Sequence, residues 1–234
     1  MKTNIAILLS IFFVFTLSAQ ELPEDKKTSK FSISAEAGFG FRTAKVSTSL
    51  QGQEYEDEKS MLTGVSFFIA PRYQLNDSYS VGVTYRQFSA SKSSNYLTSI
   101  NENGTVTVDA NQKRNIYYIG PSLHYHDIQD SAELNMFVSM GYIRYAAGVE
   151  IKLNNAVYST TKLTGASIGL EIGVEYLWRI APNFYAGASL GYTAGALSKI
   201  KEKTGSETQT IKLNDDEREG LQFLNLSPVF RLYL

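Results

Sequence analysis

The sequence predicts an all-β protein: an eight-stranded antiparallel up-and-down transmembrane β-barrel. Three observations carry that prediction. Eight segments of roughly ten residues alternate apolar with small or polar side chains at period two, which places the two kinds on opposite faces of a strand. The links between them alternate strictly between short and long. An N-terminus of export type precedes them all.

Composition removes other classes first. The 234 residues include no cysteine, which excludes disulfide scaffolds, thiolate zinc sites, cysteine nucleophiles and diacylglyceryl-cysteine anchors. Lys+Arg is 22 against Asp+Glu 23, so there is no basic excess and nucleic acid is not an expected partner. Mean hydropathy is −0.17 and the long apolar run is N-terminal, which excludes a bundle of membrane helices. With 15 Tyr and 13 Phe beside 17 Gly and 5 Pro, the balance favours strands.

Met1-Lys2 and the apolar run Ile5 to Leu17 read as the n- and h-regions of a signal peptide, closed by Ser18 and Ala19. Residues 1–19 are expected to be cleaved, 20–30 to form a short periplasmic segment, and 31–234 to form the barrel. In the first strand Phe31, Ile33, Ala35, Ala37, Phe39 and Phe41 oppose Ser32, Ser34, Glu36, Gly38, Gly40 and Arg42. The second sets Val65, Phe67, Ile69, Pro71 and Tyr73 against Gly64, Ser66, Ala70 and Arg72. In the third, Tyr79, Val81, Val83 and Tyr85 face away from Ser80, Gly82, Thr84 and Arg86. Strand four opposes Tyr117, Ile119, Pro121, Leu123 and Tyr125 to Tyr118, Gly120, Ser122, His124 and His126. Strand five carries Leu134, Met136, Val138, Met140 and Tyr142; strand six carries Ile168, Leu170, Ile172, Val174 and Tyr176 against Glu171 and Glu175. Strand seven runs from Phe184 to Tyr192, and strand eight sets Leu224, Leu226, Pro228, Phe230, Leu232 and Leu234 against Arg231. No helical period follows the signal, so no helix is expected there.

Asn76-Asp77-Ser78, IQDSAE and WRIAPN are turn-like links, whereas 43–60, 89–112, 147–162 and 195–219 are long and polar. All long links then emerge at one end, the layout of an outer-membrane barrel with short periplasmic turns. The polar face is rich in Gly, Ser, Ala and Thr, as a narrow lumen requires. On it Glu36, Arg72, Arg86, Glu171, Glu175 and Arg231 are expected to form a buried network of ion pairs. The apolar face carries Tyr73, Tyr79, Tyr85, Tyr117, Tyr125, Tyr142, Tyr176, Phe184 and Tyr192 near strand ends, as two interfacial aromatic girdles would.

A small-Pro phrase recurs on three return strands: Ile69-Ala70-Pro71-Arg72-Tyr73, Ile119-Gly120-Pro121-Ser122-Leu123 and Leu226-Ser227-Pro228-Val229-Phe230. With this texture and FYAGASLGYTAG on strand seven, the chain resembles the outer-membrane β-barrel domain family of Gram-negative bacteria, the small OmpA/OmpX-type barrels. The resemblance spans about residues 30–234. It implies outer-membrane localisation and insertion by the barrel-assembly machinery. Outer-membrane lipids and lipopolysaccharide are expected around a monomer. Proline has no ladder donor, so each phrase should bring a bulge or a missing hydrogen bond. Two departures stand out. The chain ends Tyr233-Leu234 where family members end in an aromatic residue, and no peptidoglycan-binding domain follows strand eight, so a tethering role is not expected.

His124 and His126 could share a metal at their i, i+2 spacing, but a third ligand is not evident; ordinary hydrogen bonding is expected, with no metal and no cofactor. A lipid-active triad would need a lipid-facing histidine near the long loops, whereas both histidines fall inward and periplasmic by parity, so no enzyme is expected. Glu54, Glu56, Asp57 and Glu58 lack the spacing of a calcium loop, and Asn103-Gly104-Thr105 matches a glycosylation sequon by chance. Alternation persists in Thr105–Val108, Val149–Lys152 and Gln209–Leu213, which predicts hairpins beyond the membrane that offer strand edges to an extracellular protein, a surface ligand or lipopolysaccharide. The reading is a structural or surface-interaction barrel with a plugged polar lumen. A narrow porin-like channel using Arg42, Arg86 and Arg114 at the outer mouth is the alternative, and a lipid-modifying enzyme the third.

Overall fold

The computed structural model describes residues 29–44, 52–99, 105–129, 131–154, 156–214 and 219–234. The expected signal peptide, most of the segment 20–30, and Asn103 and Gly104 of the sequon lie outside the described residues. Strand β1 (Phe31–Arg42) is followed by helix α1 (Gly52–Ser60), β2 (Thr63–Gln74), β3 (Tyr79–Ser99), β4 (Thr105–Gln129), β5 (Ala132–Leu153) and β6 (Ala156–Ala181). Then come β7 (Phe184–Leu197), β8 (Lys199–Thr204), β9 (Glu207–Lys212), β10 (Glu219–Gly220) and β11 (Phe223–Tyr233). Each of β1 to β6 pairs antiparallel with its successor, while β11 pairs with both β7 and β1, closing a ring of eight. The β8–β9 hairpin extends the edge of β6, and β10 pairs with β7.

The register fixes the shape. Stepping between paired residues from Ser32 through Arg72, Gly82, Ser122, Ser139, Glu171, Thr193 and Phe223 leads back to Arg42, ten residues farther along β1. A shear of that size over eight strands tilts them about 40° and leaves a bore that side chains just fill.

Outward faces carry large apolar side chains in the open: Ile168 is 74% exposed and Met140 63%. On β5 this belt runs from Leu134 to Tyr142 and on β6 from Ile168 to Trp178, near the ~9–11 residues a tilted strand needs to cross hydrocarbon. The strands run on well past it. β4 has 25 residues and β6 has 26, so the long links at 89–112 and 147–162 are mostly strand and form tall hairpins. Alternation changes sense there. On β3 the outward side becomes Gln87, Ser89, Ser91 and Ser93, while Phe88 and Ala90 turn inward and are buried. On β5 the switch falls between Tyr142 and Arg144.

Helix α1 corrects the expectation of no helix after the signal. Its sequence, GQEYEDEKS, is polar all round and so has no apolar period to detect. Good helix formers and a Gln53–Asp57 side-chain hydrogen bond of 2.8 Å one turn apart support it instead.

The proline phrases produce lost ladder pairs, not bulges. Pairing lapses opposite Pro71 between Ile69↔Tyr85 and Arg72↔Gly82, and opposite Pro121 between Ile119↔Tyr142 and Ser122↔Ser139. It lapses opposite Pro228 between Glu36↔Val229 and Phe39↔Leu226, and at all three places the register resumes unshifted. Inward hydroxyls take up nearby carbonyls: Ser139 Oγ donates to the Pro121 oxygen at 2.7 Å and Ser189 Oγ to that of Ser227 at 3.3 Å. The strands also close up. A Cβ on Gly141 would lie 2.1 Å from the Ile119 carbonyl oxygen and 2.5 Å from Gly120 Cα. Gly141→Ala is therefore expected to cost about 1–3 kcal/mol by forcing backbone apart. Urea titration followed by the heat-modifiable gel shift checks this.

Candidate functional site

The lumen is the site the sequence singled out, and β1, β2, β3, β6 and β11 deliver the six expected side chains into it. Glu36, Arg72, Arg86, Glu171, Glu175 and Arg231 are all buried. They form two clusters. Toward the turn end, Arg72 Nη2 donates to Glu175 Oε1 at 2.6 Å and Nη1 to Oε2 at 3.2 Å, a bidentate clamp. Arg231 bridges Glu175 and Glu133, and its Nε donates to Ser34 Oγ at 2.9 Å. Tyr233 OH donates to Glu133 Oε2 at 2.8 Å, and Asn135 Nδ2 to Glu175 Oε2 at 2.9 Å. Farther up the bore, Arg86 Nε donates to Glu171 Oε1 at 2.5 Å and Nη1 to Glu36 Oε2 at 3.1 Å. Its guanidinium lies 4.2 Å from the centre of the Phe68 ring, a cation–π contact.

Sequence reasoning missed Glu133, Tyr233, Asn135 and Ser34 as members of this network. Glu133 fell within the link IQDSAE, although the parity of β5 carried back two residues from Asn135 places it inward. The histidines join as hydrogen-bonding groups. His126 uses Nδ1 toward Glu133 Oε1 at 2.7 Å and Nε2 toward Ser80 Oγ at 2.6 Å, while His124 Nε2 meets Ser122 Oγ at 2.9 Å. The two rings stack 6.3 Å apart, and no cluster of three metal-ligating side chains exists among the described residues.

Above the ion pairs, inward side chains pack into an apolar stopper that alternation did not predict. Met61, Phe88, Ile116, Ile143, Leu197, Leu221 and Phe223 are each almost wholly buried and form one cluster with Tyr118 and Tyr145. Small residues make its seats: a Cβ on Gly40 would come within 2.5 Å of the Phe88 ring, and one on Gly64 within 2.9 Å. The same inward parity that reads polar in the lower half of the bore reads apolar here.

Two ion pairs tie the loops over this stopper. Arg42 Nη2 donates to Glu219 Oε1 at 2.7 Å and to the Gly220 carbonyl at 2.8 Å. Arg114 forks onto Glu58 of α1 at 2.8 and 2.9 Å, and its Nε donates to Tyr145 OH at 3.2 Å. Burial lowers the Arg114 pKa, but the hydrogen bonds and charges of Glu58 and Tyr145 together outweigh it and raise it. Burial likewise pushes the Tyr145 phenol up, against the pull of Arg114. Of the acids considered as a cation site, Glu58 holds Arg114, Asp57 accepts from Gln53, and Glu56 is exposed. The Glu54 side chain lies outside the described residues.

The nine girdle residues fall on the outward face in two groups. Tyr73, Tyr79, Tyr125, Tyr176 and Phe184 lie toward the turns, with Phe31, Trp178 and Phe230 beside them; Tyr79 and Tyr125 meet edge-on at 5.5 Å. Tyr85, Tyr117, Tyr142 and Tyr192 lie at the hairpin side, where each belongs to the last bulky outward positions before polar or small residues take over.

No family model matches the sequence, and no curated protein matches it. Solved structures do. The chain is similar to a major outer membrane protein from Thermus thermophilus, with a TM-score of 0.50 at 12% identity over 86% of this chain and 99% of that one. The fold is that of an outer-membrane β-barrel. Neisserial surface protein A gives a TM-score of 0.48 at 17% identity, covering 88% of this chain and 98% of its own. At these identities the likeness concerns architecture; role has to come from the barrel's own residues.

Proposed function

We propose that this protein is an integral outer-membrane barrel with a closed lumen and without catalytic activity, serving envelope structure or surface interaction through its tall hairpins. The carrying observation is the apolar stopper seated over the ion-paired lumen, since ions crossing it would have to shed their water against Phe88, Phe223 and Leu197. Arg42, Arg86 and Arg114, which a conduit would need free, are held by Glu219, by Glu36 and Glu171, and by Glu58. Among the described residues, every strand of the closed ring is paired on both sides within the apolar belt, which supports a monomer. Its partners in this reading are outer-membrane lipids, lipopolysaccharide and the barrel-assembly machinery, with an extracellular protein or surface ligand at the hairpins.

The sequence has no cysteine, so single introduced thiols report topology cleanly. Thr208→Cys on β9 is expected to react with a membrane-impermeant maleimide on intact cells, and Asp77→Cys in the β2–β3 turn only after permeabilisation. The reverse pattern, or recovery of the protein away from the outer-membrane fraction, would overturn the proposal.

A further inference from the structure

The chain as a whole is nearly neutral, with Lys+Arg 22 against Asp+Glu 23. Its cations are not spread evenly. Cross-strand pairing places Lys113 beside Gly148, Gly148 beside Lys162, and Lys162 beside Lys203 in one row across β4, β5, β6 and β8. A lower row holds Arg144 on β5, next to Ala166 of β6, and Lys199 directly opposite Lys212 on the β8–β9 hairpin. Lys201 lies between the rows, beside Thr164. Directly paired residues share a face, and all seven cations are exposed. Glu202 and Glu207 have the opposite parity on the hairpin, and Glu150 is engaged by Lys152 at 3.2 Å. Among the described residues, none of the seven has an acid within ion-pair distance. Lys162 against Lys203 and Lys199 against Lys212 are opposed like charges, an arrangement that destabilises a sheet unless an anion completes it.

Position narrows the anion. Arg144 is the next outward residue after Tyr142, the last apolar position of the belt on β5, so the cations begin where the hydrocarbon face ends. At that boundary a groove of about 320 Å³ is lined by Tyr85, Tyr117, Ile119, Tyr142 and Arg144. Tyrosine rings suit a level that is apolar below and wet above, and they accept sugar faces as well as acyl chains. A guanidinium matches phosphate oxygens with its fork, and the lysines act as mobile point charges around it. On β2 and β3 the described outward residues at this height are Thr63, Gln87 and Ser89, which carry no charge.

We propose that this basic face and the tyrosine groove below it bind a phosphorylated glycolipid of the surrounding leaflet, with phosphates on Arg144 and the lysines and the sugar–acyl junction along Tyr117 and Tyr142. The inference rests on the outer-membrane reading above, which names lipopolysaccharide among the partners, and adds the residues and the place on the barrel that hold it.

The folded protein in detergent micelles is incubated with diphosphoryl lipid A or with the same lipid after enzymatic dephosphorylation, and lipid carried through gel filtration is measured. Retention of the phosphorylated form is expected to exceed that of the dephosphorylated form by about tenfold or more, and to fall as salt rises. Inorganic phosphate should displace it no more than sodium chloride of the same ionic strength; greater displacement by phosphate would overturn the lipid assignment in favour of a free-anion site. The triple variant Lys199→Ser, Lys201→Ser, Lys203→Ser should lose most of the discrimination while keeping heat-modifiable migration. Equal retention of both lipids by the wild type overturns the inference, whatever the variant does. The thiol-labelling pattern reports the barrel independently, so a correctly oriented barrel that fails to discriminate sinks this inference alone.

Discussion

Replacing Arg231 with methionine is expected to cost about 3–5 kcal/mol of stability, read as a lower urea midpoint for loss of the compact gel form. Methionine nearly preserves the volume, so the effect isolates charge. Arg231 contacts Glu133, Glu175, Ser34 and Tyr233, and its side chain is fully buried. Removing it leaves Glu133 with the Tyr233 hydroxyl and His126, and Glu175 with Arg72 alone as a cation. The excess negative charge then has no water to receive it. Adding Glu133→Gln should restore part of the loss, because it removes the carboxylate that lost its arginine. If Arg231→Met were neutral, the lumen network would contribute nothing that apolar packing could not.

Phe223→Ala should be comparably severe, again about 3–5 kcal/mol, from lost burial plus the cavity left behind. Its ring is fully buried and lies 5.4 Å from that of Phe88, in the middle of the stopper. The surrounding wall is a hydrogen-bonded ring of strands and can collapse only slightly into the gap. Leu226→Ala, three residues along on the outward face, makes the contrast. Leu226 is 53% exposed on the bare protein, so its truncation should cost far less. Equal costs at the two positions would mean that the stopper is not packed as a core. The same urea titration reads both variants.

The ring of eight was legible from sequence because it depends on the one pattern that is local, period-two alternation, and on link lengths. The six charged lumen residues were legible for the same reason: once a strand's lipid face is known, parity assigns the other. Parity alone was not enough above Arg86. Phe88, Ile116 and Ile143 occupy inward positions but are apolar, which breaks the alternation, so the strand segments stopped short of them at Arg86, Tyr117 and Tyr142. What decides them is which surroundings each height of the strand meets, and that follows from shear and length, not from any ten-residue window. Glu133 was hidden by a link boundary drawn two residues too late. Met61 and the Arg114–Glu58 pair depend on the path of α1 over the bore, and a polar helix carries no apolar period that would have announced it. The proline phrases were legible as a disturbance. The register on both sides was needed to show that the disturbance is a lost ladder pair facing a close backbone approach.

The closed lumen is the claim on which the rest depends, and single-channel recording of the wild-type protein in planar bilayers tests it most directly. With insertion verified independently by heat-modifiable migration, the filled bore and its stopper predict a flat trace without discrete openings across the accessible voltage range. Reproducible unitary conductance steps would contradict it and return Arg42, Arg86 and Arg114 to consideration as the lining of a pore.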